Sequence, residues 1–183
     1  MKLIPTRING LFVIQPSVFE DSRGYFFESY NKDVFLKQGI DTEFVQDNQS
    51  LSQKGVLRGL HFQNPPYAQA KLVRVITGSV LDVVVDIRKN SLTYGHHFAE
   101  VLNAVRKNML FVPVGFAHGF AVLEDNTIFS YKCSNVYNKE SEESVLWCDP
   151  DLNIKWGVAN PILSEKDKAA QRFKDFTSKF IAI

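Results

Sequence analysis

Cysteine is scarce in this chain. Its 183 residues include Cys133 and Cys148 and no C-x-x-C spacing, so neither a disulfide framework nor a zinc ribbon is on offer. A surplus of one charge is equally lacking. Twenty-one Lys and Arg against twenty Asp and Glu leave a formal charge of +1, giving no reason to expect nucleic acid or an acidic membrane as partner. No apolar run approaches membrane-spanning length, and Met1-Lys2-Leu3-Ile4-Pro5 opens without a long apolar core, so a reduced cytoplasmic location is expected. Internal repeats, low-complexity tracts and linkers are missing too. So are a nucleophile elbow, a Gly-rich phosphate loop and a dinucleotide fingerprint. General acid–base chemistry is the enzymatic class that survives.

What is present points to strands. A hydrophobic share of 45% suits a single domain over residues 1–183, and fifteen Phe and six Tyr with Val-rich runs favour β structure. Strands are expected at 10–16, 25–30, 57–63, 71–77, 80–88, 98–104, 109–113, 116–123, 127–134 and 145–147. Residues 43–51 are expected to be extended and 19–24 to form a turn. Lys71, Val73 and Val75 alternate with Leu72, Arg74 and Ile76, and Gly78-Ser79 signals a hairpin into the next strand. Asn31 can cap a short helix through Lys37 that Gly39 closes, and 164–176 looks helical. Many short strands between Gly, Pro and Asn turns indicate an all-β jelly-roll barrel with short N-terminal and C-terminal helices.

Leu57-Arg58-Gly59-Leu60-His61-Phe62-Gln63 carries a cation and an imidazole three residues apart. Their opposite parity would send them to opposite faces of a regular strand, so a shared site requires a bulge near Gly59. Pro113-Val114-Gly115-Phe116-Ala117-His118 resembles the second motif of the cupin superfamily of jelly-roll barrels. Metal-binding cupins carry His-x-His and a following Glu in the first motif. Here Gln63 stands for the second His, and Gln69 and Lys71 follow, which is too few ligands for a metal site.

Several interior side chains keep two readings open. Asp82 can be a strand carboxylate paired with Lys71. Tyr131 shares a face with Phe129 and Cys133, which suits core packing. His118 suits either an orienting group or a satisfied core imidazole, and Tyr137 either stacks on a ligand or covers the barrel rim. Ser164-Glu165-Lys166-Asp167 fits a capping box, so spacing alone gives Asp167 to the start of the last helix. The alternative has Asp167 reaching His61 to fix the tautomer of its ring.

Taken in order, longer motifs resemble one family over nearly the whole chain. They are Asp21-Ser22-Arg23-Gly24-Tyr25-Phe26-Phe27-Glu28, Phe44-Val45-Gln46-Asp47-Asn48, and Gly55 through Gln63. Lys71-Leu72-Val73-Arg74, Asp82 through Arg88, Gly115 through Phe120 and Leu163 through Asp167 complete the set. The chain is similar in these to the dTDP-4-dehydrorhamnose 3,5-epimerase family. The resemblance implies a cofactor-free homodimeric cupin acting on dTDP-4-dehydro-6-deoxy-D-glucose, on the route to dTDP-L-rhamnose. By position it implies His61 as base, Tyr131 as proton donor, Asp167 as the partner of His61, and Lys71 facing the sugar ketone with Asp82 nearby. Arg23, Glu28, Gln46, Asp47 and Asn48, with Arg58, His118, Glu142 and Lys166, would hold the nucleotide-sugar. Tyr137 would stack on thymine, and residues near Arg23 and Glu28 would be lent by the other subunit. Gln49 departs from the His common there, and Asn64-Pro65-Pro66-Tyr67 varies a familiar turn. Relatives that epimerise one carbon or isomerise the ketone share much of this machinery, and a silent nucleotide-sugar-binding barrel is a further alternative.

Overall fold

The computed structural model describes residues 1–182 as two antiparallel sheets packed face to face. The first sheet uses β1 (Lys2–Pro5), β2 (Phe12–Gln15), β5 (Gln46–Ser52), β7 (Lys71–Thr77), β10 (Met109–Val112) and β12 (Thr127–Cys133), in the order β1-β2-β10-β7-β12-β5. The second uses β6 (Leu57–Gln63), β8 (Ser79–Asp86), β9 (His97–Asn103), β11 (Phe116–Val122) and β13 (Glu142–Ser144), in the order β13-β6-β11-β8-β9. A small hairpin of β3 (Phe19–Asp21) and β4 (Gly24–Phe26) stands apart. Two short helices, α1 (Lys32–Lys37) and α2 (Glu165–Lys168), and a 3₁₀ turn at Phe173–Asp175 complete the chain. No helix among the described residues is long and apolar enough to cross a membrane. The all-β jelly roll with minor helices is as expected.

Three apolar layers follow from strand alternation. Val73, Val75 and Phe129 of the first sheet meet Val80, Val84 and Phe120 of the second in the inter-sheet core. Leu57, Leu60 and Phe62 face the other way, under Trp156, Phe176 and Phe180 of the C-terminal segment. Leu72, Met109 and Phe111 back the first sheet, where α1 delivers buried Phe35. That helix starts where expected. The Asn31 side chain accepts from the N–H groups of Asp33 and Val34, and Gly39 follows at φ +88°.

The bulge expected in β6 is present. His61 pairs with His118 while Arg58 pairs with Phe120, so three steps on β6 match two on β11. Gly59 absorbs the extra residue at φ +142°, and a Cβ there would lie 2.5 Å from the Gly119 Cα. Leu57 and Leu60 can then both face outward while Arg58 and His61 both reach the interior.

Five local expectations are corrected. Gly78-Ser79 makes no hairpin: β7 pairs with β10 and β12, whereas β8 pairs with β9 and β11, so the turn hands the chain from one sheet to the other. The segment 19–24 is a hairpin with two paired strands, and the strand expected at 25–30 ends at Phe26. The strand expected at 145–147 lies instead at Glu142–Ser144, leaving Val145 as an isolated bridge to Gln171. The C-terminal helix is a single turn, because the segment spends its apolar residues covering the second sheet.

Candidate active site

Two adjoining cavities of about 150 and 130 Å³ open between the sheets at one end, and both are lined by His61, Lys71 and Tyr131. A larger hollow of about 520 Å³ lies against the exposed β3–β4 hairpin, where Asp21 and Arg23 pair with each other. The titratable groups converge in the smaller pair.

His61 comes from β6 and Tyr131 from β12, so they reach the interior from different sheets. The His61 Nε2 lies 2.5 Å from Asp167 Oδ1. Asp167 also serves the cap: its N–H donates to Ser164 Oγ at 3.1 Å, and that hydroxyl donates to Oδ2 at 2.8 Å. The two readings of Asp167 were not exclusive, because the single-turn α2 sits against β6. Burial raises the Asp167 carboxyl, but the His61 ring, the Ser164 hydroxyl and the Gly59 N–H outweigh it and leave the pKa below its ordinary value. An ionised carboxylate at Nε2 holds the proton there and leaves the other ring nitrogen as the basic one.

Lys71 Nζ sits 5.8 Å from the centroid of the Tyr131 ring. Burial pulls the Lys71 pKa down, against the charges of Cys133, Asp82 and Glu142. Burial pushes the Tyr131 phenol up, so it holds its proton well into alkaline solution. Asp82 is not paired with Lys71. Both of its oxygens take His118 Nε2, at 3.0 and 2.9 Å, and this pair is buried beside Phe120 and Phe129. Register explains the exchange: Asp82 and His118 lie on neighbouring strands of one sheet, whereas Lys71 enters from the other.

The mouth carries the remaining polar groups. Arg58 donates from Nη2 to Ser52 Oγ at 3.2 Å. Gln46 donates to Asn48 Oδ1 at 3.1 Å, and Asn48 to the Cys133 sulfur at 3.7 Å. Glu142 accepts the Tyr137 hydroxyl at 3.0 Å on one oxygen and pairs with Lys166 on the other.

Three expected residues lie elsewhere. Asp47 points to the opposite face of β5, where it pairs with Lys132 at 2.9 Å. Arg23 is exposed on the hairpin, and Glu28 accepts from Asn31 at 3.0 Å; neither lines the cavity of its own chain. Conversely, Ser50, Ser52 and Phe120 belong to the site and were missed. The parity of β5 held the signal: Gln46, Asn48, Ser50 and Ser52 are polar at every inward position, which marks a wet wall. Among the described residues, no three His, Cys, Asp or Glu side chains are grouped to hold a metal ion.

Residues 5–175 match the family model described as dTDP-4-dehydrorhamnose 3,5-epimerase. The chain belongs to the dTDP-4-dehydrorhamnose 3,5-epimerase family. It is thereby placed among isomerase-class enzymes. The dTDP-4-dehydrorhamnose 3,5-epimerase of Shigella flexneri is 52% identical over 176 residues, which is 96% of this chain and 97% of that protein. The crystal structure of the enzyme of that name from Elizabethkingia anophelis superposes with a TM-score of 0.92 at 52% identity, covering 96% of this chain and 97% of the other. A 3,5-epimerase from Legionella pneumophila, solved in complex with dTDP-4-keto-L-rhamnose, gives 0.91 at 44% identity over 94% and 93% of the two chains. These 3,5-epimerase structures share the jelly roll of the present chain over nearly its whole length.

Proposed function

We propose that this protein inverts C3 and C5 of dTDP-4-dehydro-6-deoxy-D-glucose, giving dTDP-4-dehydro-L-rhamnose on the route to dTDP-L-rhamnose. The observation that carries the reading is the placement of His61, backed by Asp167, and Tyr131 on different sheets around one cavity, with Lys71 beside the phenol. Both carbons flank the C4 ketone, so their protons are acidic enough for enzymatic removal. The free nitrogen of His61 takes the proton, and the C–H electrons pass into the carbonyl to form an enolate. The Lys71 ammonium donates to the developing oxyanion. Tyr131 delivers its proton to the opposite face as the ketone re-forms, which inverts the centre. Imidazolium and phenolate then exchange protons with solvent before the second inversion.

Binding groups surround this chemistry. Arg58 and Lys166 suit the diphosphate through charge-assisted hydrogen bonds, Gln46 and Asn48 line the adjoining wall, and Tyr137 offers a ring for thymine. His118, held by Asp82, faces the sugar. The protein acts as a cytoplasmic homodimer without metal or cofactor, each hairpin lending Arg23, and the segment after it Glu28, to the neighbouring site. The exposure of Arg23, away from its own cavity and among exposed Phe19, Tyr25 and Phe26, supports this arrangement.

Turnover in deuterated water, followed by proton NMR, tests the proposal. Deuterium at both C3 and C5 is the expected result. Label at one carbon would indicate a single-carbon epimerase, and no label would overturn the assignment. His61→Ala should abolish incorporation at both positions, because general base catalysis contributes about 10²- to 10⁴-fold. Tyr131→Phe should block product formation while dTDP binding survives. Activity should also persist in a chelator.

A further inference from the structure

Gln63 occupies the position at which metal-binding barrels carry the second His of their first motif, and its environment shows a different task. The residue is 4% exposed, both of its amide N–H groups donate and its amide oxygen accepts. Nε2 donates to the carbonyls of Tyr67, at 2.6 Å, and Val136, at 3.1 Å, while Oε1 accepts the Asn138 N–H at 2.7 Å. Gln69 donates to the Asn135 carbonyl at 2.8 Å, and Gln46 accepts the Tyr137 N–H at 2.9 Å. Four consecutive residues, 135 to 138, thus each have a main-chain group held by a glutamine side chain. This stretch follows β12 and lies outside any strand, so its backbone groups have no ladder partner. The glutamines come from β5, β6 and the segment before β7, the same elements that carry the cavity wall.

We propose that Gln63 and Gln69 are positioning residues for nucleotide binding, fixing the 135–138 segment so that the exposed Tyr137 ring stands over the cavity mouth. The inference rests on the reading that Tyr137 stacks on the base. It adds that affinity depends on side-chain amides acting through the loop they hold. An aromatic ring on an unpinned loop must be ordered when ligand binds, and that ordering weakens affinity. Proton transfer at His61 and Tyr131 does not pass through this segment, so the two functions separate.

The test compares Gln63→Leu, Gln69→Ala, Tyr137→Ala and the Gln63→Leu/Tyr137→Ala double variant, using calorimetric titration with dTDP and steady-state kinetics. Each glutamine variant should weaken dTDP by up to about tenfold, the scale of one base-stacking contact. KM should rise while kcat stays within about threefold of wild type. The double variant should bind dTDP no more weakly than Tyr137→Ala alone, since both remove the same contact. If Tyr137→Ala weakens dTDP but the glutamine variants do not, or if the losses add, the positioning role is wrong and stacking stands. If Tyr137→Ala binds dTDP like wild type, stacking itself fails and the positioning role goes with it. Should Gln63→Leu fail to fold, the partly exposed Gln69→Ala carries the same comparison.

Discussion

Burial shifts the two groups proposed to face the ketone in opposite directions, and this orders their titrations. It lowers Lys71 and raises Tyr131. The alkaline limb of kcat/KM should therefore report Lys71, falling at a pH below the ordinary lysine value of about 10.4. Lys71→Arg should move that limb upward in whatever activity remains; an unmoved limb would assign it to another group. On the acid side the carboxylate of Asp167 is held below its ordinary pKa. Its contribution is complete above the unfolded value of about 3.9 and is lost as pH falls through the depressed one. Asp167→Asn should lower kcat while leaving the Ser164 cap, since the cap uses the Asp167 main-chain N–H. Melting temperature and kcat measured on the same preparation separate the two roles.

Single elements carry further consequences, of which the β6 bulge is the clearest. Gly59→Ala places a methyl group 2.5 Å from the Gly119 Cα, so the strands must part or the register must slip. Loss of activity together with a lower melting temperature is expected, and unchanged kinetics would mean that the bulge does not aim Arg58 and His61. The turn after β8 depends on Asp86, which is fully buried and accepts from Arg88, Ser91 and Thr93. Burial raises this carboxyl, yet these donors outweigh it and hold the pKa down at about 2. The stabilisation, on the order of 2 kcal/mol, is present above about pH 4 and disappears as pH falls toward 2. Asp86→Asn should flatten acid unfolding in that window, measured by circular dichroism. The sequence made these strands visible because alternation and glycine are local signals. Pairing is not local, so Gly78 looked like a hairpin although it bridges two sheets. Nor could spacing show that Asp167 lies 106 positions from the imidazole it contacts, or that His118 rather than Lys71 takes Asp82.

At the scale of the whole molecule, the hairpin leaves Phe19, Tyr25 and Phe26 exposed, an apolar surface that suits burial in a second subunit. On the proposed dimer, Phe26→Asp should shift the protein toward monomer in analytical ultracentrifugation and raise KM, because Arg23 would no longer reach a neighbouring site. A monomer with unchanged KM would show that each chain is self-sufficient. The placement of the proposed base His61 and the proposed acid Tyr131 on separate sheets has a mechanical corollary. The two side chains project from facing sheets, so the apolar filling between those sheets works as a calliper on how far apart they stand. Phe120 and Phe129, stacked at 4.1 Å beneath the cavity, set that gauge without offering a polar atom. Shaving Phe120 to Leu would alter the span a proton donor must bridge, so rate would answer to a hydrocarbon dimension.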